Sequence, residues 1–150
     1  MDLDTLFALA NLTALIGWIA LALCSPWAPR ASQIVAGGAI PALLSVGYVA
    51  LVGASFAGAP GDFASLDGVG RLFSDRAVLC AGWLHYLAFD LIVGAQIARI
   101  GRREGVRHVL LLPALLLTFL FGPMGYLLWL ALRAAHHTAR SSRAQGGATP

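Results

Sequence analysis

The sequence predicts an all-α polytopic membrane protein, a bundle of four transmembrane helices with a short interfacial helix between the second and the third. Three observations carry this. Hydrophobic residues make up 59% of the 150-residue chain and charged residues only 11%, a balance outside the range of soluble domains. Four apolar runs each reach the twenty or so residues needed to cross a hydrocarbon core. Between them stand breaks rich in Pro, Gly or Arg. All ten basic residues are arginine, and the formal charge of +3 gathers in short clusters, a pattern of membrane topology and not of nucleic-acid binding. Residues 1–134 form one transmembrane domain, and 135–150 read as a polar, disordered tail.

The first helix occupies about 3–24. Its N-terminus reads MDLD, without the positive region of a cleavable signal, and in LALC at 21–24 Leu23 stands where a lipoprotein box needs a small residue. SPWAPR ends the helix, since Pro26 and Pro29 cannot continue it. Helix two, about 32–54, carries Gly37, Gly38, Ala42 and Gly47 for close approach to a neighbour or a second copy, and Pro41 to kink it. In 62–74, Phe63, Leu66, Val69 and Phe73 recur at helical spacing, which predicts an amphipathic helix at the interface.

Helix three, about 77–100, ends in the basic connection RIGRREGVR, and helix four, about 107–133, is interrupted by Pro113 and by Gly122-Pro123. Helices one and three then start on one side, two and four on the other. This divides the arginines evenly: 71, 76, 133, 140 and 143 against 30, 99, 102, 103 and 107. The density around 99–107 places both termini outside the cytoplasm. Cys24 and Cys80 fall at opposite surfaces, which excludes a disulfide between them. His136 and His137, adjacent on a helix, point apart and offer no metal site.

Asp90 is the anomaly. A carboxylate near the middle of a spanning helix costs roughly 2.5–3.5 kcal/mol on insertion, so an offsetting role is expected. Asn11 and Thr13, Ser45 and Thr118 fall at similar depths in the other helices and are expected to face it. Trp83, Tyr86, Asp90, Gly94 and Ile97 form one stripe of helix three, while His85, Phe89, Gln96 and Arg99 form another, rotated by roughly 100°. Asp90 and His85 thus flank a groove from two sides as candidate catalytic residues. Trp83, Tyr86, Phe89, Asn11, Thr118, Tyr48 and Gln96 are candidate substrate contacts. The competing structural reading is a neutral Asp90 hydrogen-bonded to Thr118 or Asn11, holding the bundle in register.

WLHYLAFDL, the basic connection, GVRHVLLLP and TFLFGPMG together resemble the abscisic-acid-deficient-four-like membrane proteins, over nearly all of helices two to four. The matching elements are Trp83, His85 and Asp90 in W-x-H-x-x-x-x-D, then Arg107-His108, and Gly122-Pro123 with Gly125. Plant members of that family are associated with converting violaxanthin to neoxanthin. The resemblance therefore implies a carotenoid isomerase that opens an epoxide and forms an allene with no net redox change, needing neither cofactor nor metal. Such chemistry needs a base at the polyene C–H and an acid at the epoxide oxygen, roles that suit Asp90 and His85 by residue type. This chain departs from the plant pattern in lacking an Arg- or Ser-rich leader. Its lysine-free composition looks bacterial, so the expected setting is an inner membrane and the expected partner a carotenoid or another long apolar isoprenoid. Two further readings compete: a non-catalytic carotenoid- or lipid-binding module or partner subunit, and an oligomeric proton-coupled transporter using the same midplane acid.

Overall fold

A computed structural model describes residues 2–146, with side chains to residue 142. All regular elements among them are helices: α1 (Leu3–Cys24), α2 (Pro29–Gly58), α3 (Leu66–Leu72), α4 (Arg76–Arg103), α5 (His108–Phe121) and α6 (Pro123–Gly146). Three of them, α1, α2 and α4, are long and apolar enough to cross a membrane. Side-chain oxygens cap their starts where the sequence offers them. Asp2 accepts from the Thr5 amide before α1, and Asp75 accepts from the Ala77 and Val78 amides before α4. Pro29 opens α2 instead of merely ending α1, because the first turn of a helix has no use for the missing N–H.

α4 is the axis of the bundle. Leu84, Leu91, Ala95, Ile97 and Ala98 are buried along it, with α1, α2 and α5 packed around it. Small residues set the approach. The Trp18 ring of α1 lies over Gly94, and the Leu84 side chain of α4 lies over Gly47. Two wide turns interrupt the longer helices, at Ala20–Cys24 in α1 and at Val35–Ala39 in α2, just before Pro41. Around the first, the Ser32 hydroxyl donates to the Ala20 carbonyl (3.0 Å) and the His108 Nε2–H donates to the Ala22 carbonyl (3.0 Å). The Gln33 amide similarly reaches the Ala95 carbonyl of α4 (2.9 Å). Carbonyls loosened inside an apolar bundle need such partners, and side chains of α2 and α5 supply them.

The expected fourth span is a hairpin. Gly122 sits at φ +47, a backbone region that disfavours any side chain, and α6 turns back along α5 instead of extending it. The two helices approach so closely that a Cβ on Gly125 would run into the Thr118 amide and the Ala114 carbonyl. The Arg133 guanidinium of α6 then meets Glu104, at the end of α4 from which α5 departs. Asp4 pairs with Arg76 at the other end of α4 (2.7 Å). The N-terminus and α6 therefore lie at opposite ends of the bundle. This corrects both the shared side expected for the termini and the even division of arginines, since Arg133 and Arg140 join Arg99–Arg107. Arg143 lies outside the described side chains.

Two smaller expectations also change. α6 continues through Gly146, so the tail is helical where it was expected disordered, and residues 147–150 lie outside the described residues. The segment 62–74 is helical only over Leu66–Leu72, capped by the Ser65 hydroxyl. Phe63 and Leu66 of the expected stripe are 70% and 87% exposed, and Leu72 is buried. Cys24 and Cys80 are free thiols at opposite ends of the bundle, as the spans required.

Candidate functional site: Asp90 at the hairpin tip

Asp90 lies fourteen residues before Glu104 on α4, and α5 likewise has fourteen residues between the basic connection and its tip. Both stretches rise about 21 Å at 1.5 Å per residue, so the tip reaches the depth of Asp90. The two meet there. A Cβ on Gly122 would stand 2.8 Å from the Asp90 Oδ1. Gly122 also joins the hairpin's arms, its amide donating back to the Thr118 carbonyl (2.9 Å) and its carbonyl accepting from the Gly125 amide (3.1 Å). The first amides of a helix lack internal partners and carry its positive dipole end, so a carboxyl beside the start of α6 is electrostatically favoured. That placement offsets part of the insertion cost. The second carboxylate oxygen, Oδ2, is buried and has no hydrogen-bond partner among the described residues.

Around Asp90 one face of α4 builds an aromatic ladder. The Trp83 indole N–H donates to the Asn11 side-chain oxygen of α1 (3.0 Å), and the Phe7 and Tyr86 rings flank the indole at 5.6 and 5.3 Å. Tyr86 stands one turn before Asp90 on this face. One turn beyond is Gly94 with Trp18 upon it, and Trp18 in turn meets Phe119 of α5 (5.6 Å). Trp83, Tyr86, Asp90 and Asn11 thus fall together.

His85 does not join them. Its ring stacks on Phe89 (4.5 Å) and lies beside Tyr48 of α2 (5.5 Å). Five residues of α-helix turn it about 140° away from Asp90. The structure therefore holds two groups, Trp83–Tyr86–Asp90–Asn11 and Tyr48–His85–Phe89, with no contact recorded between His85 and Asp90. Gln96 is exposed and takes no part in either. Nor do the remaining polar groups converge. Thr118 is fully buried but donates to the Ala114 carbonyl (2.8 Å), Thr13 to Leu9 (2.7 Å), Ser45 to Pro41 (2.8 Å), and the Asn11 amide to Phe7 (2.8 Å). Short polar side chains in an apolar setting bond the carbonyl one turn back on their own helix. Asp90 consequently has no register bond to Thr118 or Asn11.

An apolar groove of about 620 Å³ runs between α1 and α5, with Leu15, Trp18, Leu23, Pro113, Leu116 and Phe119 in its walls. Its upper end is one helical turn from the tip: Phe119 precedes Gly122 by three residues, and Trp18 covers Gly94, one turn from Asp90. The groove can hold a long apolar molecule, and Asp90 lies outside its walls, a turn of α4 from the Trp18–Phe119 contact at its end. Sequence reasoning missed the tip. The available signal was Gly122-Pro123 in the middle of an apolar run with arginines at both ends.

At the far end of α4, Glu104 is surrounded. Arg133 contacts both carboxylate oxygens, His137 Nε2 approaches Oε2 (3.1 Å), and Arg140 donates to the Glu104 carbonyl (2.9 Å). The Arg133 hydrogen bonds, reinforced by His137, hold the Glu104 carboxyl below the usual glutamate range.

These features define an all-helical membrane protein with a half-depth helical hairpin set against a half-buried acid. Residues 5–129 match the ABA DEFICIENT 4-like family, and the chain belongs to that family. No curated protein and no solved structure matches it significantly.

Proposed function

We propose that the chain is an intramembrane isomerase acting on an epoxycarotenoid or related isoprenoid by acid–base chemistry, with Asp90 as its base. Membership of the ABA DEFICIENT 4-like family is consistent with a role related to neoxanthin synthesis. The observation that carries the reading is the uncommitted, buried Oδ2 of Asp90 at the hairpin tip, one turn from an apolar groove. In the reaction the carboxylate takes the proton from the polyene C–H next to the epoxide. The C–H electron pair becomes the new double bond of the allene, the adjacent C–O bond breaks, and its oxygen receives a proton. Atoms and electrons balance without an oxidant. The acid is assigned to the Tyr86 phenol instead of His85, because Tyr86 shares a face with Asp90 and His85 does not.

The arginine-rich end faces the cytoplasm of a bacterial inner membrane in this reading. Arg30, Arg99, Arg102, Arg103, Arg107, Arg133 and Arg140 gather there, against Arg71 and Arg76 at the N-terminal end.

The groove alone would also serve a module that only holds an isoprenoid, and one experiment separates the two. Pigments are extracted from a carotenoid-producing host expressing wild type or Asp90→Asn. Asparagine keeps an oxygen acceptor for the start of α6 and removes the base, so turnover should fall at least about a hundredfold while protein accumulates normally. An unaltered carotenoid that co-purifies equally with both proteins would establish the binding module and remove the isomerase.

A further inference from the structure

A second cavity, of about 1000 Å³, opens at the arginine-rich end, between the turn joining α1 to α2 and the last turns of α4. Arg30, Arg99, Arg102 and Arg103 line it together with Trp27 and Gln33. Among the described residues no carboxylate pairs with any of the four arginines, and the nearest acid in the chain, Glu104, is committed to Arg133 and His137. The one recorded polar contact of these guanidiniums is a long hydrogen bond from Arg102 to the Pro26 carbonyl (3.4 Å). Four like charges around one concavity repel one another, and an anion between them relieves that repulsion. The start of α2, from Pro29, is also in the wall and adds its positive dipole end.

Depth narrows the ligand. Arg99 and Arg102 lie nine and twelve residues beyond Asp90, about 14 and 18 Å along α4 from the mid-depth acid. A hydrocarbon core is about 30 Å thick, so the cavity sits where lipid phosphates lie. Trp27, 85% exposed, is a side chain suited to that layer. Guanidinium forks match phosphate oxygens in pairs.

We infer that this cavity is a phosphate-binding site that holds the headgroup of an anionic amphiphile. The same chemistry would accept a free phosphate or diphosphate, and the test separates the sources. Purified full-length protein in neutral detergent is examined by native mass spectrometry with phosphatidylglycerol, with phosphatidylcholine and with inorganic pyrophosphate. One phosphatidylglycerol should be retained in preference to phosphatidylcholine. Arg99→Gln/Arg103→Gln should weaken it about tenfold or more, as expected for losing charge-assisted contacts. Arg107→Gln is the control, since Arg107 is exposed at the same end but outside the cavity. It should leave affinity within about twofold if the binding is a built site and not diffuse attraction. Arg30→Gln, on a different helix, should reproduce the loss and guards against a local effect on α4. Pyrophosphate binding that displaces the lipid, or occurs alone, assigns the site to the phosphate itself; lipid binding that pyrophosphate leaves untouched assigns it to the amphiphile. Equal weakening by Arg107→Gln, or no preference for phosphatidylglycerol with no pyrophosphate binding, overturns the inference.

Discussion

Two carboxylates on α4, Asp90 and Glu104, are treated in opposite ways. The Glu104 carboxylate has an arginine and a histidine on its oxygens, and a second arginine, Arg140, bonds the backbone carbonyl of the same residue. Asp90 has a glycine, a helix start and a phenol nearby, and one of its oxygens is buried with nothing to bond. A chain that can complete a carboxylate so fully at one end and leaves another open in its interior is using the two for different things. Glu104 ties the ends of α4 and α6 together. Asp90 keeps one oxygen without a hydrogen-bond partner among the described residues.

The comparison can be broken or sharpened by substitution. The largest effect is expected from Gly125→Val, because the hairpin has no room for a side chain against the Thr118 backbone. Folded protein should be lost, as read by size-exclusion recovery, and normal recovery would mean that α6 does not pack on α5. Next comes the pair Asp90→Asn and Glu104→Gln. The first should remove at least about 99% of turnover with little change in Tm, and the second the reverse, lowering Tm by a few degrees and sparing turnover. A common loss of both quantities in both variants would erase the distinction.

A third test follows from proton linkage. The Glu104 carboxyl is held below its ordinary value of 4.5 by Arg133 and then His137. Its contribution to stability is therefore complete above that value and is lost as the pH falls through the lowered one. Wild type should show an acid-side fall in Tm that Glu104→Gln lacks, and parallel Tm-versus-pH curves would show that the cluster adds nothing. The smallest expected effect is that of His85→Ala, which should leave turnover close to wild type, whereas Tyr86→Phe should lower it about tenfold to a hundredfold. The reverse order would return the acid to His85.

The spans of α1, α2 and α4 were legible because unbroken apolar length, proline punctuation and caps are local properties. Asp90 was legible for a similar reason, as one costly residue in a long run. The hairpin was not. An apolar stretch of 27 residues, 107–133, reads by composition as one crossing, and only the backbone of Gly122 reverses it. That single error propagated. It sent Arg133 and Arg140 to the wrong end and spread the polar groups over four helices that would meet at mid-depth. His85 and Asp90 sit on separate stripes of α4, as the helical period requires, and what the sequence did not supply is the surroundings of the imidazole, Tyr48 of α2 and Phe89 of α4 itself. Glu104's partners come from α6, whose direction no local signal specified.

The reversal at Gly122 also makes the bundle unequal in cross-section. Among the described residues, the half of the bundle at the arginine-rich end contains segments of five helices, α1, α2, α4, α5 and α6, whereas the other half has α1, α2 and α4 with the short α3 at its edge. The protein is thereby sided with respect to its lipid solvent as well as to the two aqueous compartments.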